Sequence, residues 1–386
     1  MNNHVSKLSS AQVTIFTEMS ALATQYNAIN LGQGFPDFDP PGELLELVKK
    51  HLSDHKNQYA PMAGALTLRE ALSDKLLQAY SCKVSPDNEI TITAGATQAI
   101  FTAITAFVHA GDEVIIFEPA YDSYRPSIEI AGGKAVVFTM LPPDFHINWS
   151  MVKAMINEKT RMIIINSPHN PTGTTLKEED LLKLAAVVRD TDIIILSDEV
   201  YEHLIYDGAQ HQSVMRFPEL YARSFAVFSF GKTFHATGWK IGYIAGPEYL
   251  TKEFRKVHQW NVFCVNSFIQ YALAEYLTEK SHYEYLPNFY QQKRDFFKSI
   301  LLKTEFKPLK SEGTFFQLAD YTNVSELDDV SFTKEMTIKF GIATIPLSVF
   351  YSSKEDVKLI RFCFAKTEKL LSAAGEKMVL IGKKAR

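Results

Sequence analysis

The chain has 386 residues, of which 46% are hydrophobic and 22% charged, and its formal net charge is −4. That length exceeds a usual single domain and allows a sizeable core, and the composition is that of a globular protein and not of a disordered one. The mildly acidic balance, without a long basic run, excludes a broad cationic surface for nucleic acid or anionic lipid, and no apolar run reaches membrane-spanning length.

The first ten residues lack a basic stretch followed by an apolar signal core, so a cytoplasmic location is expected. Residues 1–39 contain Gly32-Gln-Gly34-Phe-Pro36-Asp37 and show no clear periodicity, which predicts an N-terminal arm and a loop. From about residue 88 to 243, apolar β-rich runs alternate with helical patterns. Strands are expected at 90–93, 113–117, 134–140, 161–166, 193–197 and 225–230, with helices over 97–108, up to 130, and over 177–189. Runs of Ile and Val without polar alternation fit strands covered on both faces, so an α/β fold with a mostly parallel sheet flanked by helices follows. Functional residues in such a sheet belong at the carboxyl ends of the strands.

Near residue 277 the pattern changes to a long charged helix (285–303), a short strand (315–318), another helix, and strands near 343–345 and 358–363, the signature of a smaller α+β unit. The division expected is 1–39 as an arm and loop packing on the small domain and active site, 40–276 as the large domain, and 277–386 as the small one. Cys82, Cys264 and Cys363 are scattered and odd in number, which argues for packing residues in a reducing compartment and against a disulfide framework or a zinc site. No metal site is expected.

The most informative stretch is Ser229-Phe-Gly-Lys232-Thr-Phe-His-Ala-Thr-Gly238-Trp-Lys240, which places a serine and two lysines between a predicted strand and a glycine-rich hairpin. Upstream, an apolar strand delivers Asp198 and Tyr201 at its carboxyl end. An amine, a carboxylate, a phenol and anion ligands are what a pyridoxal phosphate pocket needs, since that cofactor combines an aldehyde, a ring nitrogen, a ring hydroxyl and a phosphate. Lys232 is the candidate nucleophile and proton carrier, a task that requires a lysine neutral for part of the cycle. Asp198 would face the ring nitrogen and keep it protonated. Tyr201 and the amide of Asn170, in Asn-Pro-Thr-Gly, would donate to the ring hydroxyl oxygen. Ser229, Lys240 and the backbone amides of Ala96 and Thr97 form the candidate phosphate site, with Gly95 letting the backbone approach at a helix N-terminus. Tyr121 could stack on the flat ring. Arg361, charged amid apolar strand residues, could grip a substrate carboxylate with its planar fork, with a structural ion pair as the competing reading.

The chain resembles the class I aminotransferases of pyridoxal phosphate fold type I. Asn30-Leu-Gly-Gln-Gly34-Phe-Pro-Asp, Asn57-Gln-Tyr59-Ala-Pro, Thr93-Ala-Gly95-Ala-Thr97, Asn170-Pro-Thr-Gly173, Ser197-Asp198-Glu-Val-Tyr201 and Ser229-Phe-Gly-Lys232 occur in the family's order across nearly the whole chain. The similarity is greatest to the branch of methionine, kynurenine and glutamine transaminases. It implies a seven-stranded sheet in the large, cofactor-binding domain and a homodimer with active sites at the subunit interface. Tyr59 would reach the phosphate of the partner's cofactor, and Phe263 would be donated across the same interface. Phe16 would cover the substrate side chain from the N-terminal arm, while Gly34, with Asn170 and Arg361, would hold the substrate carboxylate.

Two positions depart from the family pattern. Lys240 stands where many members have arginine, and Cys264 stands where kynurenine-active relatives often carry histidine, which argues against kynurenine as a preferred donor. The expected activity is transfer of the α-amino group of methionine, and of aromatic amino acids or glutamine, to a 2-oxo acid in two half-reactions. Cysteine-conjugate β-lyase activity and a kynurenine-type transaminase are the nearest alternatives. A pyridoxal phosphate-sensing regulator is a remote one, since it would carry an added DNA-binding segment. A dinucleotide-binding oxidoreductase is disfavoured because no Gly-x-Gly-x-x-Gly with a suitable acid follows an early strand.

Overall fold

Within the Val- and Ile-rich segments, alternate side chains point to opposite faces of the strand and both faces are buried. In the computed structural model, which describes residues 6–8 and 14–381, Val114 and Ile116 pack on one side of the sheet and Ile115 and Phe117 on the other. A strand that is apolar on both faces is stable only between two layers of helices, and that is the architecture found.

A short strand β1 (Ile29–Asn30) precedes seven strands that form one sheet: β2 (Ile90–Thr93), β3 (Glu113–Glu118), β4 (Lys134–Thr139), β5 (Thr160–Asn166), β6 (Ile194–Asp198), β7 (Ser224–Ser229) and β8 (Gly242–Ala245). Their spatial order is β2-β8-β7-β6-β5-β3-β4. Only β8 runs antiparallel, pairing with β2 and with β7. The seven-stranded, mostly parallel sheet anticipated for this α/β fold is present. One face packs on helices Ala96–Phe107 and Glu248–Asn261 through Ile100, Ile104, Leu250 and Phe254. The other packs on Leu66–Tyr80 and Glu178–Val188 through Leu68, Leu72, Leu181 and Leu184.

Downstream lie β9 (Lys307–Pro308), β10 (Phe316–Asp320), β11 (Ile342–Ala343), β12 (Ile345–Pro346) and β13 (Leu359–Cys363). Four of them form an antiparallel sheet in the order β12-β13-β10-β9, while β11 pairs in parallel with β1. Helices Leu286–Leu301 and Glu368–Ile381 pack together beside this sheet.

Three local expectations differ from the structure. Residues 15–25, expected as part of an irregular arm, form an 11-residue helix capped by Thr14, whose hydroxyl accepts from the Thr17 amide. Residues 1–5 and 9–13 of that arm lie outside the described residues. The strand expected near 343–345 is two short strands in different sheets, β11 and β12. The glycine-rich hairpin expected after 225–230 is instead the turn between two neighbours of the large sheet: β7 is one limb and β8 the other, joined through helical turns at Phe230–Thr233 and Thr237–Trp239. Among the described residues, no helix is long and apolar enough to cross a membrane.

Candidate active site

Parallel strands present all their carboxyl ends to one edge, and the loops leaving those ends enclose a cavity of about 370 Å³. Its wall contains Phe16, Gly34, Gly95, Ala96, Thr97, Tyr121, Asn170, Asp198, Tyr201, Ser229, Lys232, Lys240 and Arg361. Asp198 and Ser229 are the last residues of β6 and β7, and Asn170 and Tyr121 lie in the loops that follow β5 and β3.

At the floor, Asp198 is 4% exposed. Its Oδ2 accepts a hydrogen bond from the Tyr124 hydroxyl at 2.6 Å. Burial raises its pKa to about 6, against the opposing pull of the Tyr124 hydrogen bond and of Lys232. The half-buried Lys232 follows in the turn after β7, and its Nζ donates to the Gly34 carbonyl at 3.0 Å. Desolvation lowers its pKa to about 8, and the positive charges of Arg361 and Lys240 act in the same direction. A lysine so placed is neutral about a tenth of the time at pH 7, far more than an ordinary lysine, and can act as nucleophile and as base.

At one end, helix Ala96–Phe107 begins without a side-chain cap, behind Gly95 at φ +78°. That conformation favours glycine. A Cβ added to Gly95 would lie 3.6 Å from Lys240 Nζ, so the ammonium sits at the positive end of the helix dipole. Two like potentials face one space, and an anion placed between them relieves both. Gly242 allows this approach: a Cβ there would come within 2.5 Å of the Phe228 carbonyl and 3.3 Å of the Ala96 amide. The arrangement suits a phosphate group.

The opposite end is built on Arg361, which is 1% exposed in β13 and paired in register with Leu318 and Ile345. Its Nη1 donates to Asn170 Oδ1 at 2.7 Å and its Nη2 to the Gly32 carbonyl at 3.1 Å. The guanidinium lies 3.9 Å from the Phe316 ring centre, 5.0 Å from Phe350 and 5.3 Å from Phe16. Its Nε has no hydrogen-bond partner among the described residues. A buried cation held by neutral acceptors in the wall of a cavity is prepared for an incoming carboxylate. Gly34 leaves no room for a side chain, since its Cβ would lie 2.9 Å from the Phe316 ring. Tyr201 packs edge-on against Phe315 and Phe316. The Tyr121 hydroxyl lies 3.5 Å from that of Thr97.

Tyr59 and Phe263 are not brought into this cavity. They are 81% and 47% exposed and meet each other edge-on, with ring centres 5.2 Å apart. Trp260, 88% exposed, lies on the same helix-to-loop segment as Phe263.

Several residues in the wall, and Tyr124 behind it, escaped the sequence reading. Asn166 is the last residue of β5; its Nδ2 donates to the Asp198 carbonyl at 2.8 Å, and its Oδ1 accepts from the Asn170 amide at 2.8 Å. Its place at a strand's carboxyl end was a usable signal. Tyr124, which holds Asp198, could have been suspected only from its position one helical turn beyond Tyr121. Gln33, Asp122, Val200 and Phe316 also line the cavity and carried no sequence signal.

The sequence profile described as "Aminotransferase class I and II" matches residues 26–377. The chain is 48% identical to methionine aminotransferase of Escherichia coli (strain K12), over 97% of each chain. The crystal structure of YbdL from Escherichia coli, described with a methionine aminotransferase function, superposes with a TM-score of 0.96 at 47% identity, covering 98% of this chain and 99% of that one. Human kynurenine–oxoglutarate transaminase 1 is 33% identical over 94% of each chain.

Proposed function

The chain belongs to the class I and II aminotransferases, and from that premise we propose that it moves the α-amino group of methionine, and of aromatic amino acids or glutamine, to a 2-oxo acid. It is a transaminase and its cofactor is pyridoxal phosphate. The observation that carries the donor assignment is the single fork of Arg361, buried against Asn170 and Phe316, in a cavity whose remaining side-chain surface includes Phe16, Ile100, Val200 and Ile241. One guanidinium serves one carboxylate, and the apolar wall serves an uncharged side chain.

When bound, pyridoxal phosphate supplies an aldehyde that takes up and hands on the amino group, and a ring that withdraws the electron pair left when the α-proton departs. The chain's own groups divide the rest. Lys240, Ser229 and the amides of Ala96 and Thr97 would hold the phosphate, and Asp198 would keep its charge beneath the ring nitrogen, steadied by Tyr124. Tyr201 and Asn170 would donate to the ring oxygen, and Tyr121 would cover the ring. Arg361, Asn170 and Gly34 would fix the substrate carboxylate, which orients the α-carbon toward Lys232. Lys232, neutral part of the time, would carry the α-proton.

The donor preference is tested with the holoenzyme and a single 2-oxo acid acceptor. Methionine is expected to exceed aspartate in kcat/KM by at least about tenfold, because the aspartate side-chain carboxylate would be desolvated without a partner. Equal rates for the two donors would overturn the assignment.

The exposed group of Tyr59, Phe263 and Trp260 supports a homodimer in which the first two complete the partner's site, since large exposed aromatics favour burial at an interface. Light scattering is expected to give twice the chain mass. Mixing a Tyr59→Ala variant with a Lys232→Ala variant should yield hybrids with one intact site, and so restore activity that neither parent has in full. Failure to recover activity in a verified hybrid would remove Tyr59 from the partner's site.

A further inference from the structure

Immediately behind the segment that carries Asp198 and Tyr201 lies a buried charged network that the chemistry described so far does not use. Glu199 and Glu202, on that same segment, are 1% and 5% exposed, and Lys75, from helix Leu66–Tyr80, is 4% exposed. Lys75 Nζ donates to Glu202 Oε1 at 2.6 Å and to the Tyr243 hydroxyl at 3.3 Å. The Tyr80 hydroxyl donates to Glu202 Oε2. Glu199 Oε1 accepts from the Ser197 hydroxyl at 2.8 Å and the Val214 amide at 3.1 Å, and its Oε2 accepts from His211 Nε2 at 2.9 Å.

The connections run to the floor of the cavity and to its phosphate end. Glu199 and Glu202 flank Tyr201 along the chain, and Glu199 directly follows Asp198. Tyr243 follows Gly242, the residue whose missing Cβ lets β8 come close to the Ala96 amide. The Tyr243 ring also stacks on Phe228 at 4.6 Å, next to Ser229. Burying an ion pair costs desolvation that its attraction only roughly repays, so a well-packed apolar cluster would stabilise the fold as well or better. A buried network whose carboxylates each accept two or more hydrogen bonds does confer a single geometry, because each departure from it strands a buried charge.

We propose that the Lys75–Glu202 pair, with Tyr80 and Tyr243, and the Glu199–Ser197–His211 group are positioning residues that hold the Asp198–Tyr201 turn and the Ala96 phosphate cradle in mutual register. They touch neither substrate nor reacting atoms and act through the segments they brace. The inference rests on pyridoxal phosphate binding in this cavity; a wild-type protein that bound none would defeat that premise, whereas the comparison below presupposes a loaded wild type.

The test compares cofactor affinity of the apoenzyme and the visible circular dichroism of the holoenzyme, which reports the orientation of the bound ring. Glu202→Gln and the apolar double replacement Lys75→Met/Glu202→Leu are the principal variants. Phe297→Leu, in the buried core and outside the cavity wall, serves as a control for lost stability. The network variants are expected to bind pyridoxal phosphate about tenfold more weakly, as outer-shell partners do when removed from metal sites, with an altered dichroic band, a lower kcat, and a methionine KM within about twofold of wild type. A double replacement as stable as the wild type that kept its affinity and dichroism would overturn the proposal, as would changes no larger than those in Phe297→Leu. Should the charged variants not fold, Tyr80→Phe and Tyr243→Phe each delete one hydroxyl from the network. A rise in dissociation constant of about threefold in both supports the proposal, and unchanged affinity and dichroism in both overturns it.

Discussion

Lys232→Ala is expected to lower kcat for methionine transamination by at least about ten-thousand-fold, since it removes both a nucleophile and a proton carrier that no neighbour can replace. Arg361 and Lys240, the other cations in the wall, are tied to opposite ends of the cavity. The loss should fall on kcat, while reversible cofactor binding persists through the phosphate cradle. The fold should not suffer, because burial disfavours the lysine's charge and its removal relieves that cost. The same depressed pKa sets a pH dependence in the unmodified protein. Only the neutral amine attacks an aldehyde, so the rate at which the apoenzyme captures pyridoxal phosphate should climb with pH and level off above about 8. Stopped-flow absorbance measures that rate. Retained turnover in Lys232→Ala, or a capture rate that rises unabated toward pH 10.5, the lysine's ordinary value, would overturn the role assigned to this side chain.

Arg361→Lys should cost about 2–4 kcal/mol of transition-state binding, a fall in kcat/KM of roughly thirty- to a thousand-fold, although the formal charge is conserved. The planar fork makes two divergent hydrogen bonds, to Asn170 and to the Gly32 carbonyl, while its face lies 3.9 Å from the Phe316 ring centre. An ammonium cannot reproduce that combination. The loss should be shared by every α-amino acid donor, and cofactor affinity should stay within about twofold, because Arg361 lies at the end of the cavity away from the cradle. An amine resembling methionine but lacking the carboxylate separates the two explanations. Wild type and variant should process it at similar, slow rates if Arg361 acts on the carboxylate. An equal penalty on that amine would mean that the substitution had damaged the cavity in general.

Both experiments probe residues that sequence made conspicuous, and for a physical reason. Lys232, Asp198, Asn170 and the Gly95 turn each sit just beyond an apolar run whose composition marks a buried parallel strand, and strand ends in such a sheet converge on one edge. Arg361 stood out as a charge inside an apolar strand. Six of the seven strands of the large sheet were equally legible, because Ile and Val runs covered on both faces leave few alternatives, whereas β8 was not, and the count of seven came from the family resemblance. The helix at Ile15–Gln25 was not, since only two of its eleven residues, Met19 and Ala23, are buried and its apolar stripe is weak. The split of one predicted strand into β11 and β12 depends on pairing with β1, more than three hundred positions earlier in the chain.

What the sequence determined alone was the kind of chemistry: which reactive groups exist, in what order, and at which strand ends they emerge, because local composition dictates strands, turns and helix starts. What only the tertiary structure decided was which of those groups meet. Gly34 accepts from Lys232, and Asn170 accepts from Arg361, across 198 and 191 positions of chain. Lys75 meets Glu202 across 127, while Tyr59 and Phe263 meet each other outside this chain's own cavity. Such meetings are set by how helices and sheets pack, and it is packing that desolvates Lys232 and so lowers its proton affinity toward its task, while the same burial disfavours the charges of Asp198 and Arg361, which the hydrogen bonds from Tyr124 and to Asn170 offset.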